Sequence, residues 1–172
     1  MSDAIKKYTI SVFSENCSGI LYRITQIFTR RKINIESLTT SESEKVGIHR
    51  FTIVVYGTED TVRKVVLQIE KLVDVLMSSY FLDEEVVARE IALYKMKLGT
   101  NLNPIVEKHN AKILYADNEF VVIEKTGRKD ETKSLFNDLE PFGILEFVRS
   151  GRVAVSKPMR SLHNYLQEIG EA

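Results

Sequence analysis

The residues best suited to chemistry by type and spacing run from Glu15 to Leu21, Glu-Asn-Cys-Ser-Gly-Ile-Leu. They stand between an alternating run, Tyr8-Thr9-Ile10-Ser11-Val12-Phe13, and a helix-like run that begins at Ile20. A short polar turn ending in Gly19 at the mouth of a helix leaves backbone N–H groups without partners, and such groups take up a carboxylate or a phosphate. Asn16 offers both a donor and an acceptor, which suits the ammonium and carboxylate of an amino acid together. The N–H groups of Ser18, Gly19 and Ile20 would hold the carboxylate. Plain capping explains the same residue types, with Asn16 or Ser18 as N-cap and Gly19 for a permissive backbone. The loop has no nucleophile–base pair, so it reads as a ligand seat and not a catalytic centre.

A second segment, Asn34-Ile35-Glu36-Ser37-Leu38, opens a strand with Asn34 where a β-branched or aromatic residue is expected. Asn34 is either a turn residue after a basic helix end or a side-chain amide facing a ligand across an interface. The histidines His49, His109 and His163 lie in different elements at no metal-ligand spacing. No H-x-x-x-H, C-x-x-C or G-x-S-x-G pattern occurs, nor a phosphate loop, nor a thiamine-diphosphate signature. Cys17 reads as a small buried filler. Arg149-Ser150-Gly151-Arg152 reads as a β-turn or bulge with charged flanks, or as a contact for a partner.

The elements that must position these residues follow from periodicity. Tyr8, Ile10 and Val12 share one face of a first strand, and Ile20, Ile24, Ile27 and Phe28 one face of a helix that Arg30-Arg31-Lys32 closes. Residues 33–40 predict a second strand and Phe51, Ile53 and Val55 a third. Val62, Val65, Val66 and Ile69 mark a second helix, and Val73, Val75 and Met77 a fourth strand. The order β-α-β-β-α-β specifies a ferredoxin-like unit, with helices on one sheet face and the other face open unless a partner covers it. Residues 82–88 read as a connector. A second copy follows. It has a strand at 91–96, a helix capped by Asn103 with Pro104 at its first position, and a hairpin across Asp117-Asn118. A helix from Glu131 to Leu139 and a strand over 144–148 complete it. Residues 156–172 suggest a tail or a terminal helix, with Leu162, Tyr165, Leu166 and Ile169 on one face. The fold class expected is therefore α+β, two tandem ferredoxin-like βαββαβ modules, residues 1–81 and 82–172.

At 172 residues the chain fits one ordinary domain or two small ones. Lys+Arg and Asp+Glu each number 24, and a balanced chain has no bulk electrostatic reason to bind nucleic acid or anionic lipid. One cysteine excludes an intrachain disulfide and a thiolate metal cluster, which suits a reducing cytoplasm. No apolar run approaches a membrane span.

Several of these residues in register resemble a known family. Glu15-Asn16-x-Ser18-Gly19-x-Leu21, Phe28-x-Arg30-Arg31, Asn34-Ile35-Glu36-Ser37-Leu38, Gln68-Ile69-x-Lys71-Leu72-Val73-Asp74-Val75 and Arg89-Glu90-Ile91-Ala92-Leu93 occur in the order seen in the small regulatory subunit of acetolactate synthase. Val148-Arg149-Ser150-Gly151-Arg152 is similar to that family's second domain. The resemblance implies an ACT domain over residues 1–81, an amino-acid sensor that dimerises through its sheet edge. It implies an effector, usually valine, held by Asn16, Gly19, Ile20 and Leu21 of one subunit and by Asn34 and Ile35 of the other. It implies no catalytic residue, metal or cofactor on this chain. The thiamine diphosphate, Mg and FAD belong to a large catalytic subunit, which the small subunit activates and subjects to feedback inhibition by branched-chain amino acids.

The chain departs from the family at Lys32 and Ile33, where a Gly and an aromatic are usual, and at Cys17, where the usual residue is acidic or small. These positions keep a second expectation open: an assembly or activating scaffold that has lost effector binding. A third, an acylphosphatase on the same fold, needs an Arg in the first strand–helix loop, and residues 14–19 supply an acid and no Arg.

Overall fold

The computed structural model describes residues 4–99 and 101–158, so the expected helix at 162–169 lies outside the described residues. The chain forms two compact units. The first takes residues up to Val87 together with those from Arg152, and the second takes Ala88–Gly151. The sequence suggests a single break near residue 81, but the chain passes between units twice.

The first unit contains β1 (Lys6–Glu15), α1 (Ile20–Arg30), β2 (Ile35–Glu42), β3 (Ile48–Gly57), α2 (Glu59–Ile69) and β4 (Val75–Leu82). The sheet order is β2-β3-β1-β4, as a βαββαβ unit requires. The helical stripes expected from sequence are buried at Ile20, Ile24 and Phe28 on α1, with Ile27 only partly so, and at Val62, Val65, Val66 and Ile69 on α2. They pack on Tyr8, Ile10, Val12, Phe51, Ile53 and Val55. Thr58 caps α2 by accepting the Thr61 N–H, and Glu59 and Asp60 suit its positive end.

Three local expectations change. Val75 packs under the helices while Met77 packs on Phe13 across the sheet, because the β1–β4 register shifts between Phe13 and Ser14. A bulge of this kind breaks a period-two pattern. Val73 precedes the strand and is exposed. Lastly, the second sheet face is not open. Arg152 Nη1 donates to Thr9 Oγ1 at 3.1 Å, Thr39 Oγ1 donates to the Arg152 carbonyl at 2.8 Å, and Arg50 Nη2 donates to the Ala154 carbonyl at 2.7 Å. A short strand over Val153–Ser156 thus belongs to the first unit, and the segment lies across the face bearing the buried Thr9, Ser11 and Thr52. Arg152 also pairs with Asp83. Burial works to raise the Asp83 carboxyl, but Arg152 and Lys7 outweigh it and hold it below the usual carboxylate range.

Lys32 has φ +56°, a left-handed conformation. The Ile33 N–H reaches the Phe28 carbonyl and the Lys32 N–H reaches the Thr29 carbonyl, both at 3.0 Å. This pair of bonds is the Schellman end of a helix, where Gly is the usual residue. Lys32 therefore keeps the turn at the cost of its Cβ. Lys32→Gly is expected to stabilise the first unit by about 1 kcal/mol, read as a higher midpoint in urea unfolding.

The second unit contains β5 (Val86–Lys97, shared with the first), α3 (Asn103–Lys108), β6 (Lys112–Ala116), β7 (Phe120–Gly127), α4 (Lys129–Leu139) and β8 (Ile144–Arg149). Its sheet has five strands, in the order β6-β7-β5-β8, with the short strand Val153–Ser156 also pairing with β5. The expected connector at 82–88 is a 3-10 turn at Asp83–Glu85 followed directly by β5. Asn103 does not cap α3 but begins it; Asn101 Oδ1 accepts the Asn103 N–H at 3.2 Å. Asp117 Oδ1 closes the hairpin by accepting the N–H groups of Glu119 and Phe120.

Tyr94 is fully buried in the core of this unit and its hydroxyl donates to the Thr132 carbonyl at 2.6 Å. Burial, and Glu90 to a smaller extent, push the phenol up to about 12, against an opposing pull from Arg149. The folded value exceeds the unfolded one, so this contribution is intact below pH ~10 and is lost as the pH climbs to about 12. Tyr94→Phe is expected to flatten the fall in stability across that window, measured by urea unfolding at stepped alkaline pH.

Candidate functional site

The loop between β1 and α1 is built by backbone bonds from three places. The Glu15 N–H donates to the Asp74 carbonyl at 2.9 Å, the Asn16 N–H to Gly47 at 3.0 Å, and the Cys17 N–H to Glu15 at 3.1 Å. Gly19 is the N-cap residue, with φ +83°. Neither Asn16 nor Ser18 caps the helix, and no side chain accepts from its first turn. That turn also carries no acidic residue. An 11-residue helix thus begins with partial positive charge and donors that no side chain of the described residues satisfies.

Asn16 is exposed and its side chain takes part in none of the hydrogen bonds among the described residues. The Ile20 side chain is buried against α2 and the sheet, so only its backbone faces the loop. Leu21 is half-exposed. Cys17 is partly buried against the same core, as expected of a filler, but its Sγ also accepts from Arg23 Nη2 at 3.2 Å. Arg23 Nη1 meets Asp74 at 2.5 Å. Arg23 therefore ties the loop to the residue just before β4. Sequence reasoning missed this role, because Arg23 and Asp74 are far apart in the chain and each alone is an ordinary surface charge.

Asn34 and Ile35 lie elsewhere. Asn34 is exposed just before β2, and Ile35 is partly buried on the core. In register Ile35 pairs with Val55, which pairs with Tyr8, whereas Glu15 pairs with Ile48. Tyr8 and Glu15 stand at opposite ends of β1, roughly 23 Å apart at the rise of a strand. One chain does not bring Asn34 to the loop. The far end of β2 does reach it: Glu42 pairs with His49, which pairs with Ser14. β2 is an outer strand, unpaired on its free side among the described residues.

Among the described residues no cluster of His, Cys, Asp or Glu is placed to hold a metal ion, and no helix is long and apolar enough to cross a membrane. His109 bonds Asp138 at 2.8 Å, and that bond, with Lys108, holds the Asp138 carboxyl below the usual range.

Comparisons with known proteins agree on one family. Residues 10–77 match the model described as the AHAS small subunit-like ACT domain, and residues 89–158 match the small subunit of acetolactate synthase. An acetolactate synthase small subunit from Mycolicibacterium smegmatis is 34% identical over 166 residues, 94% of this chain and 98% of that one. One from Bacillus subtilis is 34% identical over 88% of this chain and 91% of its own length. The crystal structure of the Thermotoga maritima small subunit superposes with a TM-score of 0.82 at 31% identity, covering 89% of this chain and 98% of that one. Two ferredoxin-like units, a bare helix start after the first strand and these matches along nearly the whole length lead to one conclusion: the chain belongs to the acetolactate synthase small-subunit family.

Proposed function

We propose that this chain is the non-catalytic regulatory subunit of an acetolactate synthase, activating a large catalytic subunit and making it sensitive to valine or another branched-chain amino acid. The observation that carries the effector half is the register of the β2 edge. A two-fold pairing of β2 with β2 of a second copy runs antiparallel, so the start of the partner's strand meets the end of this one. Asn34 and Ile35 of the partner subunit then come to the end of the sheet where the β1–α1 loop lies, since Glu42 shares that end with Ser14. The amino acid's carboxylate takes the Gly19 N–H and draws the Ile20 N–H from its long 3.4 Å bond to the Cys17 carbonyl, Asn16 and the partner's Asn34 bond its polar groups, and Leu21 and Ile35 face its side chain. The site is complete only in the homodimer.

The left-handed turn kept by Lys32 supports this reading, because it sets the path into Asn34 with a residue other than Gly. Thiamine diphosphate, Mg and FAD are assigned to the catalytic chain, and the assembly to the cytoplasm. An effector shifts the catalytic subunit only if it binds the free and engaged conformations with different affinity. Reconstitution with the large subunit, with and without valine, tests the proposal: activation that valine reverses is expected. Activation indifferent to valine, leucine and isoleucine would leave a scaffold and remove the sensor.

A further inference from the structure

A groove of about 450 Å³ lies between α2 and the edge strand β4, in the first unit and apart from the β1–α1 loop. Its floor carries an oddity. Val12 pairs with Ser78, Ile10 with Tyr80 and Tyr8 with Leu82, so these three β4 residues face the helices as Tyr8, Ile10 and Val12 do. At Ser78 the face that should be apolar carries a hydroxyl. Ser78 is only 6% exposed and its Oγ has no hydrogen-bond partner among the described residues. Buried polar groups are rarely left so.

The wall above is acidic. Glu59 comes from α2, Glu70 from its C-terminal cap and Glu85 from the turn after β4, and among the described residues the one cation lining the groove is Arg63. Arg63 is drawn to Asp60 at 3.2 Å, and Glu85 also accepts the Leu82 N–H at 2.7 Å. Burial raises the Glu70 carboxyl above its ordinary value. Val66 and Leu82 add apolar lining between the carboxylates. Glu59 and Glu70 are eleven residues apart on the helix, about 16 Å at its rise. Carboxylates so far apart cannot chelate one ion, but they can receive charges strung along a hydrocarbon chain.

We infer that this groove binds a linear aliphatic polyamine: ammonium groups pair with Glu70, Glu59 and Glu85, one of them donates to the Ser78 hydroxyl, and the methylenes lie on Val66 and Leu82. The inference does not rest on the effector site at the β2 edge. It is tested with spermine on the full chain by isothermal titration, together with backbone amide NMR. One spermine per chain is expected, with shifts at Ser78, Ser79 and Tyr80. Glu70→Gln is expected to weaken binding at least about tenfold, the effect of losing one charge-assisted contact. Ser78→Ala is expected to weaken binding while raising the Tm of the free protein, since it removes an unsatisfied hydroxyl. Asn16→Ala is expected to leave spermine binding unchanged. Absence of saturable binding at millimolar spermine would overturn the assignment. So would displacement by an equal concentration of Mg²⁺, or wild-type affinity in both groove variants.

Discussion

If the β1–α1 loop seats the effector as proposed, Gly19→Asp is expected to lower valine affinity at least about a hundredfold while the fold stays in place, because the new carboxylate would occupy the place proposed for the ligand's carboxylate. Two effects, backbone strain and charge, meet at this position. Gly19 has φ +83°, so any side chain there costs roughly 1–2 kcal/mol of backbone strain. Asp tolerates that region better than most residues, and a Cβ at Gly19 meets nothing within 4 Å. A carboxylate at the start of α1 also gains about 0.3–1 kcal/mol from the helix dipole, in a first turn that has no acid of its own. The stability change is therefore small. Binding has no such compensation, since two carboxylates compete for the same N–H groups. Gly19→Asn carries the same shape and strain without the charge, and Gly19→Ala the strain alone. Titration of valine into the three variants, with thermal unfolding alongside, separates charge from strain. Equal affinities in the Asp and Asn variants would sink the anion seat at α1.

Much of the frame was legible in the sequence for physical reasons. Tyr8, Ile10 and Val12 alternate because one face of β1 is apolar, and α1 and α2 bury the stripes that their spacing marks. Local rules failed where a distant partner decides. The strand at Val153–Ser156 is short, and the side chains that hold Arg152 just before it (Thr39 and Thr9) and Ala154 within it (Arg50) lie more than a hundred residues away in sequence. Nothing local announces that Arg152 will be needed on the first sheet. The alternation of Val75 with Met77 is real in sequence and false in space, because a register shift turns them to opposite faces. In the candidate site the loop's position was legible from Gly19, but its capping was not: Asn16 and Ser18 are good cap residues and neither caps. Local periodicity gives Asn34 no place at the loop, since Asn34 and the loop lie at opposite ends of the sheet of one chain; only the resemblance suggests a second copy.

The Arg149-Ser150-Gly151-Arg152 segment, ambiguous in sequence between a turn and a contact, divides its work between the two units. Arg152 serves the first. In the second, the Ser150 N–H donates to the Ile91 carbonyl at 2.8 Å and the Ile91 N–H returns to Ser150 Oγ at 2.9 Å, which fixes the end of β8 on β5. Arg149 Nε stands 3.4 Å from Glu90 Oε1, and the same oxygen accepts the buried Thr132 hydroxyl at 2.6 Å. The Glu90 side chain is 11% exposed and that of Arg149 27%. Removing the guanidinium leaves a carboxylate that cannot reach water freely and keeps one hydrogen bond. Removing the carboxylate leaves a guanidinium with a route to solvent. Arg149→Met is accordingly expected to destabilise the protein by about 2 kcal/mol, below the 3–5 typical of a fully buried pair because Arg149 is partly solvated. Glu90→Gln, which keeps an acceptor for Thr132, is expected to cost about 1 kcal/mol or less. The double variant is expected to recover most of the larger loss, since a neutral amide beside Met leaves no unpaired charge. Urea unfolding of the four proteins gives the coupling directly. Two single effects that simply add would mean that Glu90 is held by Thr132 alone, and that Arg149 is free for a contact outside this chain.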